Sequence, residues 1–401
     1  MKPLSQQLLT KAGLNLGSSE RSQNAQTTVV VGMSGGVDSS VACLLLKEQG
    51  YKVIAMFMKN WEEKDENGVC QSVKEYRDVV NVCEKLDIPY YSVEFVKEYQ
   101  EQVFSHFIKE YKEGHTPNPD ILCNREIKFK VFFNKARELG ADFLATGHYC
   151  QTQKINNRFQ LVKGVDQGKD QSYFLYTIKT EILEHVLFPI GHLEKHEVRD
   201  IAKAYGLSTA GKKDSTGICF IGERNFKNFL SNYISPSNGP FKTLDGTIVG
   251  SHSGAHFYTL GQRKGLGLGG PGAPWFVIKK DMRENTVYVE RGERHPALYS
   301  DDLVATDITW VDPENPPEFP LSCKAKIRYR QKDQDCTITL DSTGKLNTTF
   351  AIPQRSITPR QSLVLYREVE GLQVCLGGAM IESAGLDYDC QNKILPKIVS
   401  L

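Results

Sequence analysis

The stretch TVVVGMSGGVDSSVACLLLKEQG, from Thr28 to Gly50, constrains this chain more than any other. Its β-branched start reads as a short buried strand, and Val41, Leu44 and Leu45 mark the apolar face of a helix that stops near Gly50. Between them lie Gly32, Met33, Ser34, Gly35, Gly36, Val37, Asp38 and Ser39. Glycines let the backbone take unusual dihedral angles and leave its N–H groups uncovered. A helix N-terminus adds unpaired N–H donors and the positive end of a dipole. Strand, loop and helix together make an anion cradle whose usual guest is phosphate; the alternative is an ordinary tight βα turn. No lysine follows the glycines, so this is not the G-x-x-x-x-G-K-[ST] loop, and phosphate would be held by N–H and hydroxyl groups.

Downstream the same rhythm continues. YKVIAMFMK, YYSVEF and ADFLATGH read as strands, YRDVVNVCEKLD and KFKVFFNKARELG as helices. Alternation of this kind means a parallel sheet with helices on both faces, and ligands on such sheets sit at the carboxyl ends of the strands. Those ends bring the glycine loop, Met58 and the turn Thr146-Gly147-His148 toward one nucleotide. After about Asn225 the chain turns rich in Gly and Pro, and from about Tyr299 it breaks into short strands typical of a small antiparallel barrel. The expected parts are a flexible extension (1–27), an α/β nucleotide domain (28–224), a small central domain (225–298) and a β-barrel (299–401).

With 401 residues and a net charge of +1, global charge makes no case for a nucleic-acid partner. The sequence has no apolar run near the ~18 residues of a membrane span. Residues 1–27 lack an apolar signal core, which favours a cytoplasmic protein. None of the ten cysteines forms a C-x-x-C pair, so neither zinc nor an iron–sulfur cluster is expected.

Two cysteines have a context. In GHTPNPDILCNREIKFK, prolines stiffen the loop before a helix, and Cys123 falls near that helix start beside Arg125 and Lys128. Both effects favour thiolate. Asp120, three residues earlier, could exchange protons or simply cap the helix. In GKKDSTGICFIGE, Cys219 follows the basic pair Lys212-Lys213; a packed core thiol is the competing reading.

The loop Ser34-Gly35-Gly36-Val37-Asp38-Ser39 resembles that of the PP-loop ATP pyrophosphatases, which split ATP to AMP and pyrophosphate. The blocks GMSGGVDSSVA, FMKNWEE, TPNPDILCNREIKF, ATGHY, KDQSYFLY, DSTGICFIGER, YTLGQRKGLGLGG and KIRYRQ, in this order, resemble the tRNA-specific 2-thiouridylases over nearly the whole chain after residue 27. The resemblance implies a tRNA sulfurtransferase that adenylates the C2 oxygen of the wobble uridine and replaces it with sulfur. It implies that Gly32 to Ser39 hold the ATP phosphates, with Mg²⁺, while Met58 and Gly147 flank the adenosine. Asn118, Pro119 and Asp120 would meet the target uridine, with Asp120 as acid/base, Cys123 as nucleophile and Cys219 as persulfide carrier. His148, Lys169, Asp170, Gln171, Arg328, Tyr329 and Gln361 would touch tRNA. Implied partners are the Lys, Glu and Gln tRNAs and a sulfur-donor protein.

One feature bears on RNA without the resemblance. In CKAKIRYRQK, Lys324, Lys326, Arg328, Arg330 and Lys332 alternate, which on a strand would make one basic face. Tyr329 has the opposite parity, so Arg328 and Tyr329 share a surface only if the strand bends or ends. Two other readings remain open: an ATP pyrophosphatase acting on a small molecule, and an RNA-binding module on a relic nucleotide fold.

Overall fold

The computed structural model describes residues 4–62, 71–214 and 226–400. Its first sheet is parallel, with β1 (Thr28–Met33) at the centre, β2 (Lys52–Lys59) and β3 (Tyr90–Glu94) on one side, and β4 (Phe143–Thr146) on the other; the later strand β7 (Val186–Leu187) completes it. Alternation along β1 explains the two layers. Val29, Val31 and Met33 face a core shared with Val41, Leu44 and Leu45 of the helix Val37–Glu48. Val30 faces the opposite core, built on Tyr99, Phe107, Ile127 and Phe132.

The segment expected to be a flexible extension is folded over its described part. Helices Gln6–Lys11 and Ser18–Asn24 lie against the first sheet's helical layer. Leu4, Leu8 and Leu9 pack on that core, and Ala12 and Leu14 are buried in it. Gln49 Nε2 donates to the Ala12 carbonyl at 3.2 Å, and Asn24 Nδ2 to that of Gln49 at 2.8 Å. A mostly polar composition hides this, because a single stripe of leucines at helical spacing is enough to dock a short amphipathic helix.

The central unit is a four-stranded sheet: β8 (Gly239–Lys242), β9 (Ile248–His252), β10 (Trp275–Asp281) and β11 (Thr286–Arg291). Phe241, Tyr258, Val277, Val287 and Val289 form its core. The last unit contains β12 (Tyr299–Trp310), β13 (Leu321–Lys326), β14 (Gln334–Leu340), β15 (Leu346–Arg355), β16 (Ser362–Val369) and β17 (Leu372–Ala384). Their order, 12-15-14-13-16-17 with β12 pairing back onto β17, closes a six-stranded antiparallel barrel.

A feature no local pattern revealed joins the two ends of the chain. The hairpin β5 (Cys150–Ile155) and β6 (Arg158–Lys163) leaves the first domain and adds to the barrel sheet, with Leu161 opposite Cys375 and Val162 opposite Val374. The basic strand face also differs from expectation. β13 stops at Lys326, and Arg328 and Tyr329 lie in the turn that follows, where Arg330 has φ +66°. Lys326 is buried rather than solvated.

Candidate active site

The glycine loop closes over the end of β1. Ser34 N–H donates to Ser39 Oγ at 3.2 Å, and the Ser39 and Ser40 hydroxyls both donate to the Gly36 carbonyl, at 3.2 and 2.8 Å. These bonds pin the first turn of the helix Val37–Glu48. Gly35 has φ +72°, and a Cβ there would stand 2.6 Å from the Glu75 carbonyl oxygen. Gly147, just past β4, is equally restricted: its Cβ would meet Ser39 N at 2.6 Å and Asp38 C at 2.8 Å. Only glycine lets the end of β4 lie directly on the helix start. Met58, at the end of β2, is buried in the core on the Val30 side.

The lysine missing from the loop is supplied from elsewhere. Lys195, opening the helix Lys195–Ala204, reaches both Asp38 oxygens at 2.7 and 2.8 Å. Tyr149 O–H donates to the same carboxylate at 2.8 Å. Burial, then the charge and hydrogen bond of Asp38, push the Tyr149 pKa far up, so it stays a donor. Lys195 also lies 2.8 Å from Asp214, which takes Lys169 at 2.5 Å and Arg199 at 2.7 Å. Burial alone would raise the Asp214 pKa, but hydrogen bonds from Lys169 and Lys195 outweigh it and hold the carboxyl well below its usual range. Lys212 Nζ donates to the Gly35 carbonyl at 2.9 Å and to Asp78 at 2.6 Å. Sequence reasoning missed Lys195 and Arg199; the amphipathic run EKHEVRDIAKA marks their helix, but not that its start meets the loop.

Asn118, not Asp120, caps the next element: its side chain accepts the Asp120 N–H at 3.1 Å, with Pro119 in the first helical position. The short helix Pro119–Leu122 runs on into a wide π-helical stretch, Cys123–Phe132. Cys123 is therefore one turn inside the helix and fully buried. The thiolate expectation is reversed here. Burial pushes the thiol up to about 12, Asp120 adds to the rise, and Lys128 offsets only part of it. Asn124 Nδ2 ties this helix to the Phe174 carbonyl at 3.0 Å. The Phe129 ring lies 5.9 Å from the His148 ring, and His148 Nδ1 is 2.8 Å from Thr146 Oγ1. Burial and the neighbouring Lys128 hold His148 neutral. Cys219 lies outside the described residues, which stop at Asp214 and resume at Phe226.

The residues expected to touch tRNA divide into two sets. Gln171 Oε1 accepts the Tyr149 N–H at 3.0 Å, and Lys169 joins the Asp214 network. Asp170, by contrast, is sealed in the seam with the barrel. It accepts from Gly164 N and from Ser172 N and Oγ, and it faces Lys326 at 3.5 Å. Half-buried Arg328 donates to the Leu260 and Ser356 carbonyls and to Thr358 Oγ1, at 3.1, 2.5 and 2.8 Å. Gln361 Nε2 donates to the Thr116 carbonyl at 2.5 Å, two residues before Asn118. Tyr329 stacks obliquely on Phe174, ring centres 4.4 Å apart.

Residues 27–223 match the tRNA methyl transferase HUP domain, residues 227–291 the tRNA methyl transferase PRC-barrel domain, and residues 300–381 the aminomethyltransferase β-barrel domain. The chain is 59% identical over 372 residues to the tRNA-specific 2-thiouridylase MnmA of Protochlamydia amoebophila, covering 92% of this chain and 97% of that one.

The chain belongs to the tRNA-specific 2-thiouridylase family.

Two more relatives bear the same name: that of Halalkalibacterium halodurans, at 55% identity over 363 residues, 90% of this chain and 96% of the other, and that of Alkaliphilus oremlandii, at 54% over 358, 89% and 97%. Nearly the full length of each is matched, so the glycine loop, the central sheet and the barrel all belong to the family's common plan. Within that plan this 2-thiouridylase family member sets its phosphate loop, Tyr149, Gln171 and His148 at one end of the parallel sheet. Among the described residues, no helix is long and apolar enough to cross a membrane.

Proposed function

We propose that the protein is an ATP-dependent tRNA-uridine 2-sulfurtransferase that converts the wobble uridine of the Lys, Glu and Gln tRNAs to 2-thiouridine in the cytoplasm. The observation that carries this is the run of direct contacts at the sheet's C-terminal end. Asp38 of the phosphate loop bonds Tyr149, Tyr149 bonds Gln171, and His148 beside them packs on the helix that starts at Asn118 and contains Cys123. A nucleotide and a flipped base could share such a space.

In this reading the amides and hydroxyls from Gly32 to Ser39 bind the ATP phosphates, and Met58 and Gly147 flank the adenosine. Lys195 and Lys212 offset the negative charge of the departing pyrophosphate. Asp38 already engages Lys195 and Tyr149, so Mg²⁺ would be held largely by phosphate oxygens, with Asp38 as the nearby carboxylate. The uridine C2 oxygen attacks the α-phosphorus, the bond to the β-phosphate oxygen breaks, and C2 acquires a good leaving group. Asn118 and Pro119 position the base, and Asp120 handles the proton. A Cys219 persulfide, charged by a sulfur-donor protein, then delivers its terminal sulfur to C2 and AMP leaves. Cys123 either attacks the remaining sulfur linkage or frees the terminal sulfur beforehand. Both routes end in a Cys123–Cys219 disulfide that a two-electron thiol reductant must reset.

Buried Cys123 is protonated in the free protein, so tRNA binding has to change its surroundings before it can act. Peptide mapping under non-reducing conditions, after one turnover with ATP, enzyme persulfidated by its sulfur-donor protein, and unmodified tRNA, tests the scheme. A Cys123–Cys219 disulfide and 2-thiouridine are expected. Two free thiols with product formed, or ATP split to ADP and phosphate, would refute it.

A further inference from the structure

The central domain carries a basic surface that the chemistry above does not use. The loop Gly261–Pro274, GQRKGLGLGGPGAP, runs along a groove of about 340 Å³. Arg263, Lys264, Trp275 and Arg291 line it together with the loop glycines, and no Asp or Glu does. Arg263 and Lys264 are exposed and have no carboxylate partner among the described residues. Their positive charge is thus uncompensated locally, unlike that of Lys195, Lys212 or Lys326.

The loop backbone is arranged with the same bias. Arg291 lies over the Trp275 ring, 4.1 Å from its centre, and donates to the Ala273 and Gly269 carbonyls at 2.8 and 3.1 Å. Trp275 Nε1 donates to Gly269 O as well, at 3.1 Å. Two of the loop's carbonyls, Gly269 and Ala273, are thus occupied from one side. Its donors are not: among the described residues, the N–H groups of Gly267, Leu268, Gly269, Gly270 and Gly272 reach no acceptor. Gly265, Gly267, Gly270 and Gly272 have positive φ, the kind of backbone that builds anion-binding concavities from successive amides.

Position supplies the last element. Thr259 Oγ1 lies 3.2 Å from Thr116 Oγ1, and Leu260 O accepts from Arg328. The loop thus departs from a point tied to the Asn118-Pro119-Asp120 segment on one side and to the barrel on the other. The base of the loop therefore lies beside the segment that the proposed reading gives to the target base.

We propose that the loop Gly261–Pro274, with Arg263 and Lys264 as its free cations, is a phosphate-backbone contact for tRNA, independent of base sequence. This rests on the reading of tRNA as substrate. The amides would bind phosphate oxygens, the two cations would displace counterions, and Arg291 would fix the loop shape without itself being a main contact.

The test uses full-length protein and unmodified tRNA, with binding measured across a salt series. The Arg263→Ala/Lys264→Ala double variant should reduce the slope of log K against log salt by about 1.4–1.8, from roughly 0.7–0.9 per neutralised phosphate. At 0.1 M salt its affinity should fall on the order of tenfold for each phosphate no longer neutralised, while the rate at saturating tRNA stays that of the wild type. Lys264→Arg, which keeps the charge, should retain the slope. An unchanged slope in a double variant with wild-type melting temperature overturns the proposal. So does intact tRNA affinity combined with loss of sulfur-donor-dependent rate, which would make the groove a protein-docking site. Wild-type protein that binds tRNA with this salt dependence yet releases no pyrophosphate would refute the sulfurtransferase reading and leave the loop assignment standing.

Discussion

Asp38 and Asp170 are built alike and do different work. Each is a carboxylate facing one lysine and one hydroxyl: Lys195 and Tyr149 for the first, Lys326 and Ser172 for the second. Asp38 sits in the first turn of a helix at the mouth of a loop, its side chain 31% exposed, where a ligand can exchange places with its partners. Asp170 is 1% exposed. Around it Lys163 pairs with Asp333 and lies 3.8 Å from the centre of the Tyr366 ring, so the seam between first domain and barrel is a closed polar joint. In the proposed reading the same residue types make a binding site where water can reach them and a structural joint where it cannot, because an ion pair buried on all sides is costly to break and has no vacancy for a ligand.

The contrast breaks most sharply at Cys123, on the active-site side. Cys123→Ser should still release pyrophosphate in the presence of tRNA and should accumulate adenylated tRNA, with no 2-thiouridine by mass analysis of nucleosides; normal thiolation would remove Cys123 from the scheme. The thiol also sets a pH signature. Its folded pKa, about 12, lies above the ordinary thiol value, so this stabilisation is complete below pH ~9 and is lost as pH rises toward 12. Urea midpoints of wild type and Cys123→Ser should therefore diverge least in strong alkali.

Asp38→Ala is next in size. It should lower tRNA-dependent pyrophosphate release by about 10²–10³-fold, the range seen when one fixed electrostatic partner of a reacting group is removed. Its melting temperature should stay near wild type, since the carboxylate is open to solvent. A large drop in melting temperature would make Asp38 a joint like Asp170.

Lys326→Met should show the opposite profile. Leaving Asp170 charged and buried without its cation should cost roughly 3–5 kcal/mol in denaturant unfolding. Pyrophosphate release per folded molecule should change far less than for Asp38→Ala. If stability is intact and tRNA affinity falls instead, Lys326 faces RNA as the alternating pattern first suggested.

The smallest effect is expected where the chain's first helices meet the domain. Lys11 and Glu197 pair at 2.6 Å but are partly exposed, so Lys11→Ala should cost about 0.2–1 kcal/mol and leave activity alone. Leu8→Ala, which trims the apolar stripe, should cost more than Lys11→Ala; equal effects would mean that charge, not packing, holds these helices.

How much of this could be read in advance follows from the range of the interactions. The strand Thr28–Met33, the phosphate loop and its helix were legible because each depends on neighbours within a dozen residues: β-branched side chains, glycines at the turn, apolar spacing. The parallel sheet and the barrel strands were legible for the same reason. Asn118 as cap, with Pro119 beside it, is also a local signal, although only Asp120 is weighed as a cap from sequence. Lys195 at Asp38, the hairpin Cys150–Lys163 joining β17, and Lys326 beside Asp170 were not legible, since each joins positions more than 150 residues apart. Nor was the state of Cys123: its sequence neighbours are basic and argue for thiolate, but its neighbours in space are largely apolar, and desolvation outweighs the one opposing cation, Lys128. Sequence by itself determined most of the strands and helices, the glycine loop and the family. Tertiary structure alone decided which charges stay in water, because burial depends on what packs from distant parts of the chain, and burial decides whether a charged side chain binds a ligand or locks two domains together.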